Sequence, residues 1–263
     1  MTRLALGLIA GLASLPAFAE DLPKTVPATG EATAASEATM TDAERKAFRD
    51  EVRAYLLDNP EVLIEAMDVL QQREEDAALA RDSQFITTNS ATIFANANDW
   101  VGGNPNGDIT LVEFMDYRCG YCRKAYEEVD ALIKTDGNIR FVVKEFPILG
   151  DASMLSAQFA IALKQLHGDE AYGKAHDALM TLRGEPTPET LARLATDLGL
   201  DPQPILDRMG APEVQAVIQA NYALAQQMDI TGTPAFVLKD VVMRGYAPLE
   251  TMRDFVKDAR ADG

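Results

Sequence analysis

The stretch "DYRCGYCRKAY", residues 116–126, holds both cysteines of the chain, Cys119 and Cys122, with two residues between them. Such a pair serves a metal site, a structural disulfide or a working dithiol. A zinc site wants about four ligands. This chain has no second CxxC, and His167 and His176 stand alone in a helical stretch, where they read as surface or packing residues. Copper(I) could be held by two thiolates, so that reading stays open. A structural disulfide here would contribute only about 2 kcal/mol before strain, because closing so short a loop barely restricts an unfolded chain. A bond that stabilises little is free to be made and broken.

Outward from the pair, Ile109–Met115 ("ITLVEFM") reads as a strand and the residues after Cys119 as a helix to about Lys134. A Gly137–Asn138 turn leads to a second strand, Ile139–Phe146. This βαβ pattern predicts parallel strands joined by a right-handed crossover. Cys119 then falls where the strand ends and the helix begins. A helix N-terminus offers unpaired amides and partial positive charge, which favour an anion. Arg118 and Arg123 add positive charge nearby. Cys119 is therefore the expected attacking sulfur, and thiolate is the form that attacks disulfides. Cys122, one turn further in, is expected to be more buried and to resolve the mixed disulfide.

Two more positions bear on that chemistry. Glu113 shares a strand face with Ile109, Leu111 and Met115. Inner strands of a parallel sheet are apolar on both faces, so an acid there is expected to be buried and able to exchange a proton near neutral pH. Lys144 on the neighbouring strand is its expected charge partner; a solvent-facing pair at a strand edge is the alternative. In "ITGTPAFV", Pro234 opens a strand. A cis Thr233–Pro234 bond would turn the backbone and bare main-chain groups of Thr233 for an extended peptide. A trans turn is the other option.

The remaining chain sets the frame. Residues 1–19 have one basic residue, an apolar run and small residues at Ala17 and Ala19, the layout of a signal peptide cleaved after Ala19. This predicts an exported, periplasmic protein, soluble once processed. Residues 20–40 lack bulky apolar residues and read as a tether. Residues 41–97 read as a helical extension. Thr41 and Glu44 form a capping box, Phe48, Val52, Tyr55 and Leu56 a first stripe, and Leu63, Met67 and Leu70 a second. Asn59 is expected to cap the second helix, which runs to about Arg81; a third covers roughly 83–97. These helices either pack on the main domain or assemble copies of the chain through residues 41–81. Residues 151–228 read as helices broken at His167–Gly168, "RGEPTPE", "GLDP" and "GAP". Net charge is −17, which argues against nucleic acid or anionic membrane as a partner.

Taken together, CGYC at 119–122, the acid six residues before Cys119, the helical insert, and "GTPAF" with Thr233 before Pro234 resemble the DsbA-like thiol–disulfide oxidoreductases of the thioredoxin superfamily. The likeness covers roughly residues 98–261. The helical extension and the tetrapeptide look like the ScsC-type suppressor-of-copper-sensitivity proteins. The resemblance implies an α/β thioredoxin fold with an inserted helical domain at about 151–228 of a 98–263 domain, plus an N-terminal helical extension. It implies Cys119 as nucleophile, Cys122 as resolving thiol and Pro234 in cis. The redox-active disulfide Cys119–Cys122 would stand in place of any cofactor. In trimeric members the extension assembles the oligomer. Gly120 and Tyr121 between the cysteines, with Thr233 before the proline, are similar to DsbC-type isomerases; dedicated oxidases have proline, histidine and valine there. Expected partners are misoxidised or reduced exported proteins and a membrane redox partner that resets the pair. The alternatives are a dithiol oxidase and a copper(I)-binding protein using the two thiolates.

Overall fold

The computed structural model describes residues 40–261. The expected signal peptide and the tether up to residue 39 lie outside them. The chain divides after Pro60 into two compact units. The first contains α1 (Asp42–Asp58). Its capping box forms as expected: the Glu44 amide donates to Thr41 Oγ1 at 3.3 Å, and the Thr41 amide donates to the Glu44 carboxylate at 2.8 Å. No residue of α1 is buried within the chain, and Phe48, Val52 and Tyr55 stand exposed. Asn59 does not cap the next helix. It is the C-cap of α1, where its side-chain amide donates to the Tyr55 carbonyl at 2.9 Å.

The second unit opens with α2 (Glu61–Thr88), longer than the sequence pattern predicts, followed after Asn89 by the short α3 (Ser90–Phe94). The apolar stripe ends at "QQREED", but these residues are good helix formers, and neither glycine nor proline interrupts positions 61–88. Leu63, Met67 and Leu70 are exposed, whereas Ile86 and Ile93 are buried under the sheet. The end of α2 is pinned to the sheet edge, where Arg244 donates to both Asp82 oxygens at 2.8 and 3.0 Å.

Five strands form one sheet in the order β1-β3-β2-β4-β5. They are β1 (Trp100–Gly103), β2 (Ile109–Met115), β3 (Ile139–Glu145), β4 (Ala235–Leu238) and β5 (Val241–Arg244). β2 and β3 run parallel across α4 (Gly120–Asp136), as the βαβ reading requires. β4 pairs antiparallel with β2 and carries β5 outside it. β1 was not expected. It pairs antiparallel with β3 from Trp100↔Val143 to Gly103↔Arg140. Three glycines in "GGNPNGD", residues 102–108, make the segment read as pure turn, and tertiary pairing overrides that local signal.

The insert enters between β3 and β4. It comprises α5 (Asp151–Met180), α6 (Pro188–Asp197), α7 (Pro202–Met209) and α8 (Pro212–Gln227). The predicted breaks are where the helices end or bend. Gly168 interrupts α5 at φ 81°, a region glycine enters without a Cβ penalty. Thr187 and Asp201 cap helices whose first residues are Pro188 and Pro202. α9 (Leu249–Ala261) closes the chain. One sheet face buries Ile109, Leu111, Met115 and Val143 with both cysteines and the insert. The other buries Val112, Phe114 and Val142 with Ile86, Ile93 and the end of α8. Among the described residues, no helix is long and apolar enough to cross a membrane.

Candidate active site

The site is built where β2 gives way to α4. Asp116, just past the strand, accepts amides from Arg118 at 2.7 Å, Ile148 at 2.8 Å and Leu149 at 3.0 Å. One carboxylate thus ties the two loops at the carboxyl ends of β2 and β3. Cys119 is the N-cap of α4, and its amide donates to the Asp116 carbonyl at 3.1 Å. The helix begins here because Cys119 holds extended φ/ψ of −70° and 121° while the next residues turn helical.

Cys119 Sγ donates to the Thr233 carbonyl at 3.2 Å. The Thr233–Pro234 peptide is cis. Residues 114 positions apart therefore meet at one sulfur, and the bond has the cis form that the sequence suggested. Both cysteines are free thiols; Cys119 keeps a small exposed area, and Cys122 has none. Gly120 faces open space. Tyr121 is 63% exposed and lies 6.0 Å from the Tyr246 ring, over which Lys124 Nζ sits at 4.2 Å.

Glu113 is 2% exposed, and its Oε1 has no hydrogen-bond partner. Burial, and secondarily the nearby Cys119, push its carboxyl up to about 8. Burial also raises the Cys122 thiol far above its ordinary value, and the negative charge of Glu113 raises it further. Neither group holds a negative charge comfortably, and of the two the Glu113 carboxyl gives up its proton the more readily.

Lys144 is not the charge partner of Glu113. In the β2–β3 register Glu113 lies beside Val143 and Phe114 beside Lys144. Side chains alternate across a strand, so the two project from opposite sheet faces. Lys144 is instead fully buried against Asp99, 2.5 Å from its carboxylate, and donates to the Thr92 carbonyl at 2.8 Å. Burial raises Asp99 and lowers Lys144, each against the other's opposing pull.

Sequence reasoning missed a second buried acid. Glu145 Oε1 accepts from the hydroxyls of Tyr117 at 2.9 Å and Tyr172 at 2.5 Å, and burial pushes it to about 8. His176 joins this group with Nδ1 3.2 Å from the Tyr117 hydroxyl, and its ring stacks on Trp100 at 5.6 Å. It is a packing histidine as expected, held neutral by burial with its pKa lowered to about 4. His167 is exposed. The signal for Glu145 was present, since it follows Lys144 in a strand otherwise apolar on its inner face. Among the described residues, no three His, Cys, Asp or Glu side chains gather as a metal site. A soft ion at the CGYC pair would have two sulfurs.

Residues 110–257 match the DSBA-like thioredoxin domain. The chain belongs to the DsbA-like thioredoxin family, a family of thiol–disulfide oxidoreductases. Residues 44–77 match the copper resistance protein ScsC N-terminal domain, so the helical extension is of ScsC type. A thioredoxin-like oxidoreductase from Silicibacter pomeroyi DSS-3 is 41% identical, with TM-score 0.61, over 65% of this chain and 97% of that one. BcfH from Salmonella enterica Typhimurium is 27% identical, with TM-score 0.68, over 82% and 96%. An ScsC linker-deletion mutant from Proteus mirabilis shares the fold at 21% identity and TM-score 0.65, over 87% and 100%. Among curated relatives, the chain spans about a quarter of the length of the first it matches, such as Na(+)/H(+) antiporter NhaA 1 of Salinispora arenicola, 30% identical over 168 residues.

Proposed function

We propose that this DsbA-like protein is a periplasmic thiol–disulfide oxidoreductase that rearranges disulfides in misoxidised exported proteins. The observation that carries the reading is the Cys119 sulfur at the start of α4, 3.2 Å from the Thr233 carbonyl, with Cys122 buried behind it and an unpartnered Glu113 below. Cys119 thiolate attacks a substrate disulfide, forming a mixed disulfide and expelling one substrate thiolate. That thiolate then attacks elsewhere in the substrate, and its new partner releases Cys119. If the substrate stalls, Cys122 gives its proton to Glu113 and its thiolate attacks Cys119 Sγ. The Cys119–Cys122 bond forms, the substrate leaves reduced, and two electrons pass to it. A membrane redox partner then returns the pair to the dithiol.

Three features support isomerase over oxidase. Gly120 and Tyr121 leave the approach to Cys119 open and aromatic. Thr233 precedes the cis-proline. The exposed stripes of α1 and α2 suit assembly of copies, trimers by analogy with the resemblance, which would set several sulfurs around one substrate. Refolding of a scrambled-disulfide protein by the full chain tests the reading. Recovery of native enzyme activity is the expected result, and reduction of the substrate without recovery would reject it. The two-thiolate site and the ScsC-type extension support a second reading, copper(I) binding. Copper titration of the dithiol protein separates the two: tight binding without disulfide exchange favours the binder.

A further inference from the structure

Between α4, α5 and the sheet lies a cavity of about 100 Å³. An apolar cavity of about 150 Å³ holds benzene, with its six heavy atoms, so this one takes a body of about four. Its walls are of two kinds. The rings of Trp100, Tyr126, Phe141 and His176 and the aliphatic chains of Val129 and Ile133 make the apolar part. The polar part is acidic: Glu113 from β2, Asp130 from α4 and Asp177 from α5. Among the described residues, no lysine or arginine lines the cavity.

The three acids are not equally provided for. The Tyr126 hydroxyl donates to Asp177 Oδ1 at 2.8 Å. Lys134, itself largely exposed, holds Asp130 at 2.8 Å. Glu113 is buried, and its Oε1 has no partner. Lys144 on the neighbouring strand serves Asp99 on the other sheet face. His176 is neutral, its pKa lowered to about 4 by burial, so it brings no positive charge. An unpartnered acid among aromatic rings is matched by a cation with an apolar body. The charge pairs with the carboxylate, and the negative faces of aromatic rings attract it. The hydrocarbon part covers Val129 and Ile133. A metal ion is a poorer match, because among the described residues no three His, Cys, Asp or Glu side chains gather to hold one. An anion would meet three acids.

We propose that this cavity is a binding site for a small primary alkylammonium ion, seated with its ammonium on Glu113 and its alkyl chain among the rings. The site itself does not depend on the exchange reading above, but its consequence does. A carboxylate paired with an ammonium is a weaker base. Occupancy therefore slows the step in which Cys122 gives up its proton and closes the bond with Cys119. It leaves the first attack by Cys119 alone. The ligand lengthens the life of the mixed disulfide and so acts as a brake on the release of a stalled substrate.

The test titrates n-propylammonium chloride into the full chain as dithiol, with ionic strength held by potassium chloride. It follows the fluorescence of Trp100, the only tryptophan of the chain and a wall of the cavity. Magnetisation transfer from protein to the ligand's methyl protons reads the same binding by NMR. Propylammonium is expected to saturate both signals; n-propanol and propionate, of the same length, are not. The amine stays protonated below about pH 10. Its affinity is expected to fall about ten-fold per pH unit below about 8, because it must displace the proton of Glu113. Cys119, whose charge also bears on Glu113, is expected to leave that slope unchanged when replaced in Cys119→Ser. Glu113→Gln is expected to weaken binding about ten-fold at pH 8 and to remove the slope. Val129→Phe, which fills the space, is expected to abolish binding; should it fail to fold, Glu113→Gln decides. No saturation by propylammonium, equal binding of propanol, or equal binding by Glu113→Gln overturns the site. The brake is read by rapid mixing with dipyridyl disulfide, which releases one pyridinethione when Cys119 attacks and a second when Cys122 closes the bond. Saturating propylammonium is expected to slow the second release about ten-fold and leave the first unchanged. An unchanged second release in the saturated protein overturns the brake. Loss of the first release without any amine would instead sink the exchange reading and leave the binding result standing.

Discussion

Glu113 and Lys144 differ by one position in register, and that decides their roles. Glu113 shares its sheet face with the cysteines; Lys144 faces the other way, into Asp99. Replacing Glu113 with Gln keeps the shape and removes the proton acceptor. Closure of the Cys119–Cys122 bond should then slow by about 10²-fold at neutral pH, with the first attack by Cys119 retained. Stopped-flow oxidation of the dithiol reads both steps. Lys144→Met should behave in the opposite way. It strands Asp99 without its cation, which typically costs about 3–5 kcal/mol. Urea unfolding should show that loss, while both oxidation phases stay within experimental spread. The cysteines, the buried acid and the cis-proline were legible because each breaks a local rule: two thiols at a helix start, an acid on an apolar strand, a proline opening a strand. The partner of Lys144 was not legible. Sequence does not set the register between β2 and β3, and a shift of one residue moves a side chain to the other face. Asp116 and Glu145 escaped for a related reason, since their partners lie far along the chain.

At the scale of elements, caps and prolines predicted helix starts well. Thr41 caps where expected, and Thr187 and Asp201 cap the helices that follow the breaks read at "RGEPTPE" and "GLDP", because such hydrogen bonds are local; Asn59 went to the helix before it instead. Strand β1 was hidden because its stability comes from β3, some forty residues on, and not from its own glycine-rich sequence. The stripes of α1 and α2 pose a different problem. Phe48, Tyr55, Leu63, Met67 and Leu70 are all at least half exposed in the single chain. Apolar surface of that kind is costly in water, at about 25 cal/mol per Å². Assembly of copies through residues 41–81 would bury it. Light scattering should give a multiple of the chain mass for the full protein, and a single mass for the double variant Leu63→Lys, Met67→Lys. A monomer in both would leave the stripes unexplained and remove the argument that assembly sets several sulfurs around one substrate.

For the whole molecule, buried acids make stability depend on pH in a definite direction. Glu113 and Glu145 both titrate near 8 when folded, against 4.5 as the ordinary value. Between those values the folded state binds more protons than the unfolded state, so stability falls as pH rises. His176 works the other way, but only between about 4 and its ordinary 6.5, where the unfolded chain binds the extra proton. From about pH 6.5 to 8 the acids act unopposed, and the fall should reach a few kcal/mol at about 1.4 kcal/mol per pH unit for each acid. Urea midpoints across that range should decline, and Glu113→Gln should remove about half of the decline. A flat profile in the unsubstituted protein would mean the two acids are not neutral in the fold.

All of this depends on one sulfur. The most direct check is to trap it: Cys122→Ser and Cys119→Ser variants are each incubated with a disulfide-bonded protein substrate, quenched with acid, and resolved without reductant. Cys122→Ser should accumulate a mixed disulfide through Cys119, because nothing is left to release it, while Cys119→Ser should accumulate none. Equal trapping by both variants, or trapping through Cys122 alone, would contradict the account.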